Sequence, residues 1–81
     1  MVHLIWDERK RLANLTKHQL DFAALTLEFF LDARFVRAHS GRLKAVGRLA
    51  GSSVAVVFVS LGTEAISIIS MRPASRTERL L

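Results

Sequence analysis

Apolar and polar side chains alternate over the first residues of the chain, and this two-residue period is typical of a β-strand. Val2, Leu4 and Trp6 share one face of the strand that it predicts. Asp7 follows as a good N-cap residue for a helix, and Glu8 stands in the first turn, where the helix dipole favours an anion. The chain is therefore expected to open with a short strand that leads directly into a helix.

Two sides of that first helix can be assigned from the helical period. Leu12 and Leu15 lie on its buried side, and a polar stripe runs along a second side at every fourth residue. The polar stripe consists of Lys10, Asn14 and His18. After the helix, Asp21 is placed to cap a second helix. The broad apolar face of this second helix is formed by Phe22, Leu25, Phe29 and Phe30.

Strand-like segments fill most of the chain from residue 33 onward. Turn signals near Ser40-Gly41, Gly51 and Gly62 separate four strands, over 33–39, 42–49, 53–59 and 65–71. Pro73 ends strand pairing, and residues 74–81 are expected to form a short terminal helix capped by Ser75, with Glu78 at its third position. The order β-α-α-β-β-β-β-α predicts a single α+β domain over residues 1–81, with an antiparallel sheet and helices packed on one face.

The hairpin around Ser40-Gly41 concentrates positive charge. If those two residues alone form the loop, Arg37 lies directly opposite Lys44, and side chains two residues apart share a face. Like charges opposite one another destabilise a sheet, and a bound anion would relieve their repulsion. An ordinary solvated face is the alternative, and a shift of one residue in the loop would send half of the side chains to the other face. The basic side chains predicted to share one face are Arg37, His39, Arg42, Lys44 and Arg48.

Composition narrows the class of protein. The 81 residues carry a net charge of +5, which favours a polyanion, an acidic protein or a membrane surface as the partner. No cysteine is present, so disulfides and thiolate chemistry are excluded. The longest apolar run, residues 54–59, is far shorter than the roughly 20 residues of a membrane helix, and the early charges at Asp7 and Glu8 lead us to expect no secretory signal. We expect a soluble cytoplasmic domain without a membrane partner.

Neither metal nor cofactor chemistry is expected. The three histidines, at positions 3, 18 and 39, lack any spacing typical of a metal site. The four glycines stand apart from one another, so no glycine-rich loop is present to hold a phosphate or a nucleotide cofactor. Any catalysis would therefore use the charge, hydrogen bonds and acid–base groups of the protein itself.

Two motifs near the ends of the chain carry a more specific signal. The first is W-D-x-x-K-x(3)-N-x-x-K-H over residues 6–18, and the second is I-I-S-x-R-x-A-x(3)-E-R over residues 68–79. Together, in this order and in so short a chain, they resemble the BrnT family of type II toxins. The resemblance implies a small basic ribonuclease with a RelE-like fold and a cognate antitoxin. Gln19 stands where the family has a glycine that ends the first helix, which weakens the prediction of a left-handed helix cap.

A ribonuclease of this kind needs particular side chains. RNA supplies its own nucleophile, the 2′-hydroxyl, so the protein must bind the phosphate, stabilise its added charge and transfer protons. Arg42 and Arg72 are expected to stabilise the phosphate, since arginine stays protonated and donates two hydrogen bonds at once. Histidine suits proton transfer near neutral pH, which makes His18 and His39 candidates. The residues expected to hold the RNA backbone are Lys10, Lys17, Arg37, Lys44, Arg48 and Arg79.

Some of these residues also have purely structural interpretations. Arg72 could pair with Glu78, and His18 could serve only to end its helix. Many members of the family have arginine at the position of Ser67, and this difference keeps a reduced activity open.

RNA and an acidic, BrnA-like antitoxin are the partners that the resemblance implies, with operator DNA bound through the antitoxin. The alternative function is a weakly active or inactive module that binds the antitoxin and nucleic acid and acts in the regulation of its own operon. A third hypothesis is a small nucleic-acid-binding domain that has no protein partner.

Overall fold

The computed structural model of the protein describes residues 2–81, so the first residue of the predicted domain lies outside it. Within these residues, five strands form one sheet in the order β1-β5-β4-β3-β2. The strands are β1 (His3–Trp6), β2 (Arg34–Arg37), β3 (Leu43–Leu49), β4 (Ser52–Leu61) and β5 (Ala65–Pro73). The helices are α1 (Glu8–His18) and α2 (Leu27–Asp32). The predicted α+β class is confirmed.

Pairing within the sheet is antiparallel except at one edge. The four strands β2 to β5 pair in antiparallel fashion as predicted, whereas β1 pairs with β5 in parallel, from His3 opposite Ala65 to Trp6 opposite Ile68. A parallel neighbour needs a long crossover connection, and here both helices and the other strands lie between β1 and β5 in the chain. The sheet is therefore mixed, and the prediction of a wholly antiparallel sheet is corrected at this edge.

The core lies between the helices and one face of the sheet. Edge-on aromatic contacts connect the two layers, as between Phe30 and Phe58, whose ring centroids are 5.4 Å apart. The four residues that the sequence assigned to the buried face of the second helix are each at most 6% exposed. They are Phe22, Leu25, Phe29 and Phe30.

The predicted helices are confirmed in outline and corrected in two details. Asp7 caps α1, because its side chain accepts a backbone N–H of the first turn. Leu12 was predicted to be buried but is 50% exposed, since α1 packs mainly against β5 and leaves its other sides in solvent. The predicted second helix divides into two short elements: Asp21 caps a 3₁₀ turn over Phe22–Ala24, and Thr26 caps α2.

A residue other than glycine forms the left-handed end of α1. Gln19 has a φ of 57°, and its backbone N–H donates to the carbonyl oxygen of Leu15. Its side-chain amide also donates to the carbonyl oxygen of Thr16, at 3.0 Å. The left-handed conformation costs a residue with a Cβ about 1–2 kcal/mol, so the cap forms here in spite of an unfavourable residue.

A β-bulge in β5 decides which side chains of this strand face the helices. The pairing with β4 skips one residue between Ile68 and Ser70, which leaves Ile69 as the bulge. Ile68 and Met71 therefore both lie on the core face, at 1% and 0% exposure. Arg72 consequently lies on the opposite face of the sheet. We name this opposite face, which points away from the helices, the open face.

The β2–β3 hairpin has a three-residue loop, His39–Gly41, rather than the predicted two-residue loop. Two of its residues have positive φ angles, and the longer loop shifts the strand register by one residue. Arg37 therefore lies opposite Leu43 on the helix side, instead of opposite Lys44. Lys44 and Arg48 lie on the open face. The prediction of one continuous basic face is wrong, because a shift of one residue reverses the facing of every side chain in a strand.

The chain after β5 folds over the open face. Ser75 and Glu78 cap each other as predicted: the N–H of Ser75 donates to Glu78 Oε1 at 2.8 Å, and the N–H of Glu78 donates to Ser75 Oγ at 3.1 Å. The helical part is a single 3₁₀ turn over Glu78–Leu80, shorter than the helix predicted for residues 74–81. Among residues 2–81, no helix is both long and apolar enough to cross a membrane.

Candidate functional site

A basic groove of about 420 Å³ lies between α1 and the second half of β5. The helical period brings Lys10, Lys17 and His18 to one side of it. Arg72 of the open face lines the other side, at the edge of β5 that β1 leaves uncovered after Ile68. We name this cavity the α1–β5 groove. The residues that line it are Lys10, Ala13, Asn14, Lys17, His18, Ile69, Ser70 and Arg72.

Asn14 fixes the width of the α1–β5 groove by tying the helix to the strand. Because β1 pairs with β5 only as far as Ile68, the N–H of Met71 lies on an uncovered edge of the sheet. The Oδ1 atom of Asn14 accepts that N–H at 3.0 Å, and its Nδ2 atom donates to the carbonyl oxygen of Leu20 at 3.1 Å. Asn14 is 8% exposed, and its hydrogen bond with Met71 is buried, whereas that with Leu20 is partly buried.

Glu78 holds the two cations Arg72 and Lys44. Its carboxylate accepts two hydrogen bonds from Arg72, at 2.6 Å to Nη1 and 2.7 Å to Nη2. The Nζ atom of Lys44 lies 2.6 Å from Glu78 Oε2. The Glu78 side chain is only 9% exposed, whereas that of Arg72 is 37% exposed. Glu78 is thus a buried anion that fixes the position of two partly exposed cations.

The charges of this cluster are stable over a wide range of pH. Hydrogen bonds from Arg72, and further donors from Lys44 and the N–H of Ser75, hold the pKa of Glu78 far below its ordinary value of 4.5, against the opposing effect of burial. The pair with Glu78 also raises the pKa of Arg72. Glu78 therefore stays ionised near neutral pH and is a very weak base. It can orient Arg72, but it is unsuited to withdraw a proton.

Arg72 keeps one hydrogen-bonding edge for a ligand. Its Nη1–Nη2 edge is occupied by Glu78, and Nη1 also donates to the carbonyl oxygen of Pro73 at 3.2 Å. Among the described residues, none accepts a hydrogen bond from Nε. The Nε–H and the adjacent Nη2–H form the parallel fork that matches two oxygens of a phosphate. A phosphate could therefore bind Arg72 without displacing Glu78.

A second concave site lies on the open face, beside the C-terminal turn. This open-face cavity also has a volume of about 420 Å³. Arg72 lines the α1–β5 groove, its partner Glu78 lines the open-face cavity, and the pair is directly hydrogen-bonded, so it forms the wall between the two. The residues that line the open-face cavity are Asp32, Arg34, Val46, Gly47, Arg48, Ser53, Glu78, Arg79 and Leu81.

Comparison with known proteins identifies the family of the chain. The family model described as the ribonuclease toxin BrnT of a type II toxin–antitoxin system matches residues 6–78, nearly the whole chain. The chain belongs to the BrnT family. A crystal structure of the Brucella abortus ribonuclease toxin BrnT is 48% identical in sequence and superposes with a TM-score of 0.87, over 94% of this chain and 100% of that one. Curated proteins gave no match. The resemblance that the two end motifs indicated is thereby confirmed.

The structure of this BrnT-family chain separates the predicted site residues into three groups. Lys10, Lys17, His18 and Arg72 line the α1–β5 groove, and Lys44 joins them through Glu78. Arg48 and Arg79 line the open-face cavity. The remaining residues lie at the hairpin and line neither cavity, so their predicted roles stay predictions without a common site. These are Arg37, His39 and Arg42.

Two features of the site were missed from the sequence. Glu78 was seen as a cap residue and as a possible partner of Arg72, but its contact with Lys44 crosses two strands and leaves no local signal. Arg34 was not assigned to any site, because the length of the hairpin loop decides on which face of the sheet its side chain lies. Within residues 2–81, no three histidine, cysteine, aspartate or glutamate side chains group as metal ligands.

Proposed function

We propose that this protein is an endoribonuclease toxin that cleaves RNA in the α1–β5 groove without a metal ion. One observation carries the proposal: Arg72 is held by two hydrogen bonds to the buried Glu78, keeps its Nε–Nη2 edge unoccupied among the described residues, and lines the same groove as His18. The 2′-oxygen of RNA attacks the phosphorus as its proton is withdrawn, and the bond from phosphorus to the 5′-oxygen breaks. The leaving 5′-oxygen takes a proton from water, so the products are a 2′,3′-cyclic phosphate and a strand with a 5′-hydroxyl. Family membership supports RNA as the substrate.

Arg72 is proposed to stabilise the phosphate as negative charge develops on it. Attack by the 2′-hydroxyl places extra charge on the non-bridging oxygens, and a donor already fixed in position stabilises that charge without reorganising during the reaction. The Nε–Nη2 edge provides two parallel donors for those oxygens. Lys10 and Lys17 lie along the same groove and are proposed to hold the adjoining phosphates.

His18 is proposed to withdraw the proton from the 2′-hydroxyl. Imidazole is the side-chain group commonly used for proton transfer near neutral pH, and His18 is the histidine that lines the groove. Glu78 is too weak a base for this role. His39 lies in the exposed hairpin loop, outside the groove. The geometry therefore favours His18 over His39.

An RNA cleavage assay tests the proposal directly. Purified protein is incubated with single-stranded RNA in the presence of EDTA, and the product ends are analysed. The proposal expects cleavage that EDTA leaves intact, with 2′,3′-cyclic phosphate ends. Activity that is lost in EDTA and restored by magnesium would contradict the proposed chemistry. Binding of RNA without cleavage would instead favour the alternative, an inactive module that acts through the antitoxin.

An acidic antitoxin is proposed to neutralise the toxin by covering the α1–β5 groove. The net charge of +5 would steer such a partner to the same basic side chains that bind RNA. A docking site for the antitoxin around Leu25 and Phe29, on the second helical segment, is the alternative, but these residues are only 6% and 5% exposed. Operator DNA would be bound through the antitoxin, and the complex is expected in the cytoplasm.

Competition binding tests whether the antitoxin neutralises the toxin by occluding the α1–β5 groove. Labelled RNA is bound to the Arg72→Ala variant and titrated with the antitoxin. Release of the RNA supports direct cover of the groove. A ternary complex with unchanged RNA affinity would show that the antitoxin acts elsewhere.

A further inference from the structure

We infer that the open-face cavity is a second binding site for the phosphate backbone of single-stranded RNA, used by nucleotides that flank the cleaved one. This inference rests on the proposed function and extends the substrate contact beyond the α1–β5 groove. It is carried by three arginines that converge on the cavity: Arg34, Arg48 and Arg79.

Three separate segments of the chain supply these arginines. Arg34 begins β2 and lies opposite Val46, and Arg48 of β3 lies opposite Ser53, so the register places both on the open face. Arg79 belongs to the C-terminal 3₁₀ turn, which the reciprocal capping by Ser75 and Glu78 folds back over the sheet. Long-range structure, not local sequence, therefore brings the three cations together.

The cavity has an excess of positive charge. Within the part of the chain that the structure describes, Arg34 and Arg79 form no ion pair, and Arg48 donates only to the carbonyl oxygen of Gly51, at 2.9 Å. The acids that line the cavity are Asp32 and Glu78, and Glu78 is already neutralised by two cations. Three arginines thus face one available carboxylate, and the guanidinium group is the side chain best shaped to bind phosphate oxygens through two donors.

Continuity with the groove identifies the ligand as RNA backbone. The Arg72–Glu78 pair is the wall between the two cavities, so a strand whose reacting phosphate meets Arg72 can continue past it across the open face. Lys44, on the same face, pairs with Glu78 in that wall. Cations line both the α1–β5 groove and the open-face cavity, so neither site repels a phosphodiester strand.

A matched pair of double variants tests this site. Arg34→Ala/Arg79→Ala removes two charges from the cavity, and Arg9→Ala/Arg76→Ala removes two from exposed positions that line neither cavity. RNA affinity is measured at several salt concentrations. We expect the slope of log K against log salt to fall in magnitude by about 1.4 in the cavity variant, at about 0.7 per phosphate contact with single strands. The control variant should lose less than half of that.

Cleavage kinetics provide a second readout. With a long RNA, the cavity variant should raise KM several-fold while kcat stays unchanged, because the lost contacts bind substrate and transition state equally. With a dinucleoside monophosphate, which fills only the α1–β5 groove, the cavity variant should match the wild type. If alanine at these positions lowers stability, Arg34→Gln/Arg79→Gln removes the same charges with longer side chains and is measured in its place.

The outcomes separate the two proposals. Equal salt slopes and equal KM values in the cavity and control variants would overturn the second site while leaving cleavage in the groove intact. Failure of the wild-type protein to cleave either substrate would instead overturn the proposed function. In that case the salt slopes still decide whether the cavity binds RNA.

Discussion

Two parallel hydrogen bonds of 2.6 and 2.7 Å join the Arg72 guanidinium to the Glu78 carboxylate, and the two side chains differ strongly in their exposure to solvent. The carboxylate is almost wholly buried in the C-terminal turn, and the guanidinium reaches toward the α1–β5 groove. The turn itself is closed by the same carboxylate through its cap with Ser75. A terminal segment thus positions a side chain of the central sheet, and this coupling gives the first prediction.

Glu78→Gln should lower kcat for RNA cleavage by about 10- to 100-fold, because a small misplacement of Arg72 weakens a contact made in the transition state. RNA affinity should stay the same or rise, since a negative charge is removed near the site. The free energy of unfolding should fall by about 1–3 kcal/mol, less than for a fully buried pair because Arg72 is partly solvated.

Asp21→Asn is the matched control for Glu78→Gln. It removes the carboxylate from another arginine pair, that of Arg11 with Asp21, which lines neither cavity. Its kcat should equal that of the wild type. A Glu78→Gln variant that is less stable but retains wild-type kcat would show that Glu78 has only a structural role.

The second prediction concerns the pH dependence of stability. The pKa of Glu78 is lowered by folding from its ordinary value of 4.5, so its contribution is fully present above that pH and is lost as the pH falls toward the folded pKa. The difference in unfolding free energy between the wild type and Glu78→Gln should therefore be constant from pH 8 to about pH 5 and shrink below about pH 4. Denaturant titrations at several pH values measure it, and a difference that persists undiminished at pH 2 contradicts the assignment.

The strands and helix caps could largely be predicted from the sequence, because alternation and capping are local properties. Asp7, Ser75 and Glu78 cap as predicted, and the strands begin and end within a few residues of their predicted limits. The stripe of Lys10, Asn14 and His18 also lies together, because the helical period fixes it. Local patterns thus gave one wall of the α1–β5 groove.

The sequence could not predict on which face of the sheet the hairpin arginines lie, because a difference of one residue in the length of the loop reverses it. Ser40 adopts a positive φ, which few residues other than glycine do, and the loop gains a third residue. The bulge at Ile69 has a similar effect in β5, since it alone brings Met71 into the core and Arg72 to the open face. Contacts such as that of Lys44 with Glu78 depend on both registers at once.

The third prediction is that Gln19→Gly stabilises the protein by about 0.5–1 kcal/mol. Gln19 has a φ of 57°, which glycine adopts without a steric penalty, and only one exposed side-chain hydrogen bond is lost. Thr16→Gly, within the same helix, should have the opposite sign because glycine weakens a helix interior. Thermal unfolding of both variants checks this, and a destabilised Gln19→Gly variant would refute the strain at the cap.

The fourth prediction is that Gly47→Ala destabilises the protein by about 1–3 kcal/mol. A Cβ at this position would lie 3.1 Å from Phe29 Cε1 and 3.4 Å from the Ala33 Cα atom, so glycine is needed for α2 to approach β3. Adding Phe29→Leu should recover part of the loss by freeing space at the closest contact. If the losses of unfolding free energy of the two single variants simply add in the double variant, the side chains at positions 47 and 29 are not in steric conflict.

Cleavage in the α1–β5 groove is tested most directly by single-turnover rates of RNA cleavage, measured in EDTA. The rates are compared between variants of the groove and variants of the hairpin. Arg72 is in register with Val46 across the sheet. Arg42 immediately precedes β3 and is four residues from Val46, which is about 13 Å along the strand direction. A site in the α1–β5 groove predicts that Arg72→Ala and His18→Ala lower the rate by about 10²- to 10³-fold. Arg42→Ala and His39→Ala should stay close to the wild type. The opposite result would contradict a site in the α1–β5 groove: a large loss of cleavage rate in the hairpin variants, together with near-wild-type rates in the groove variants.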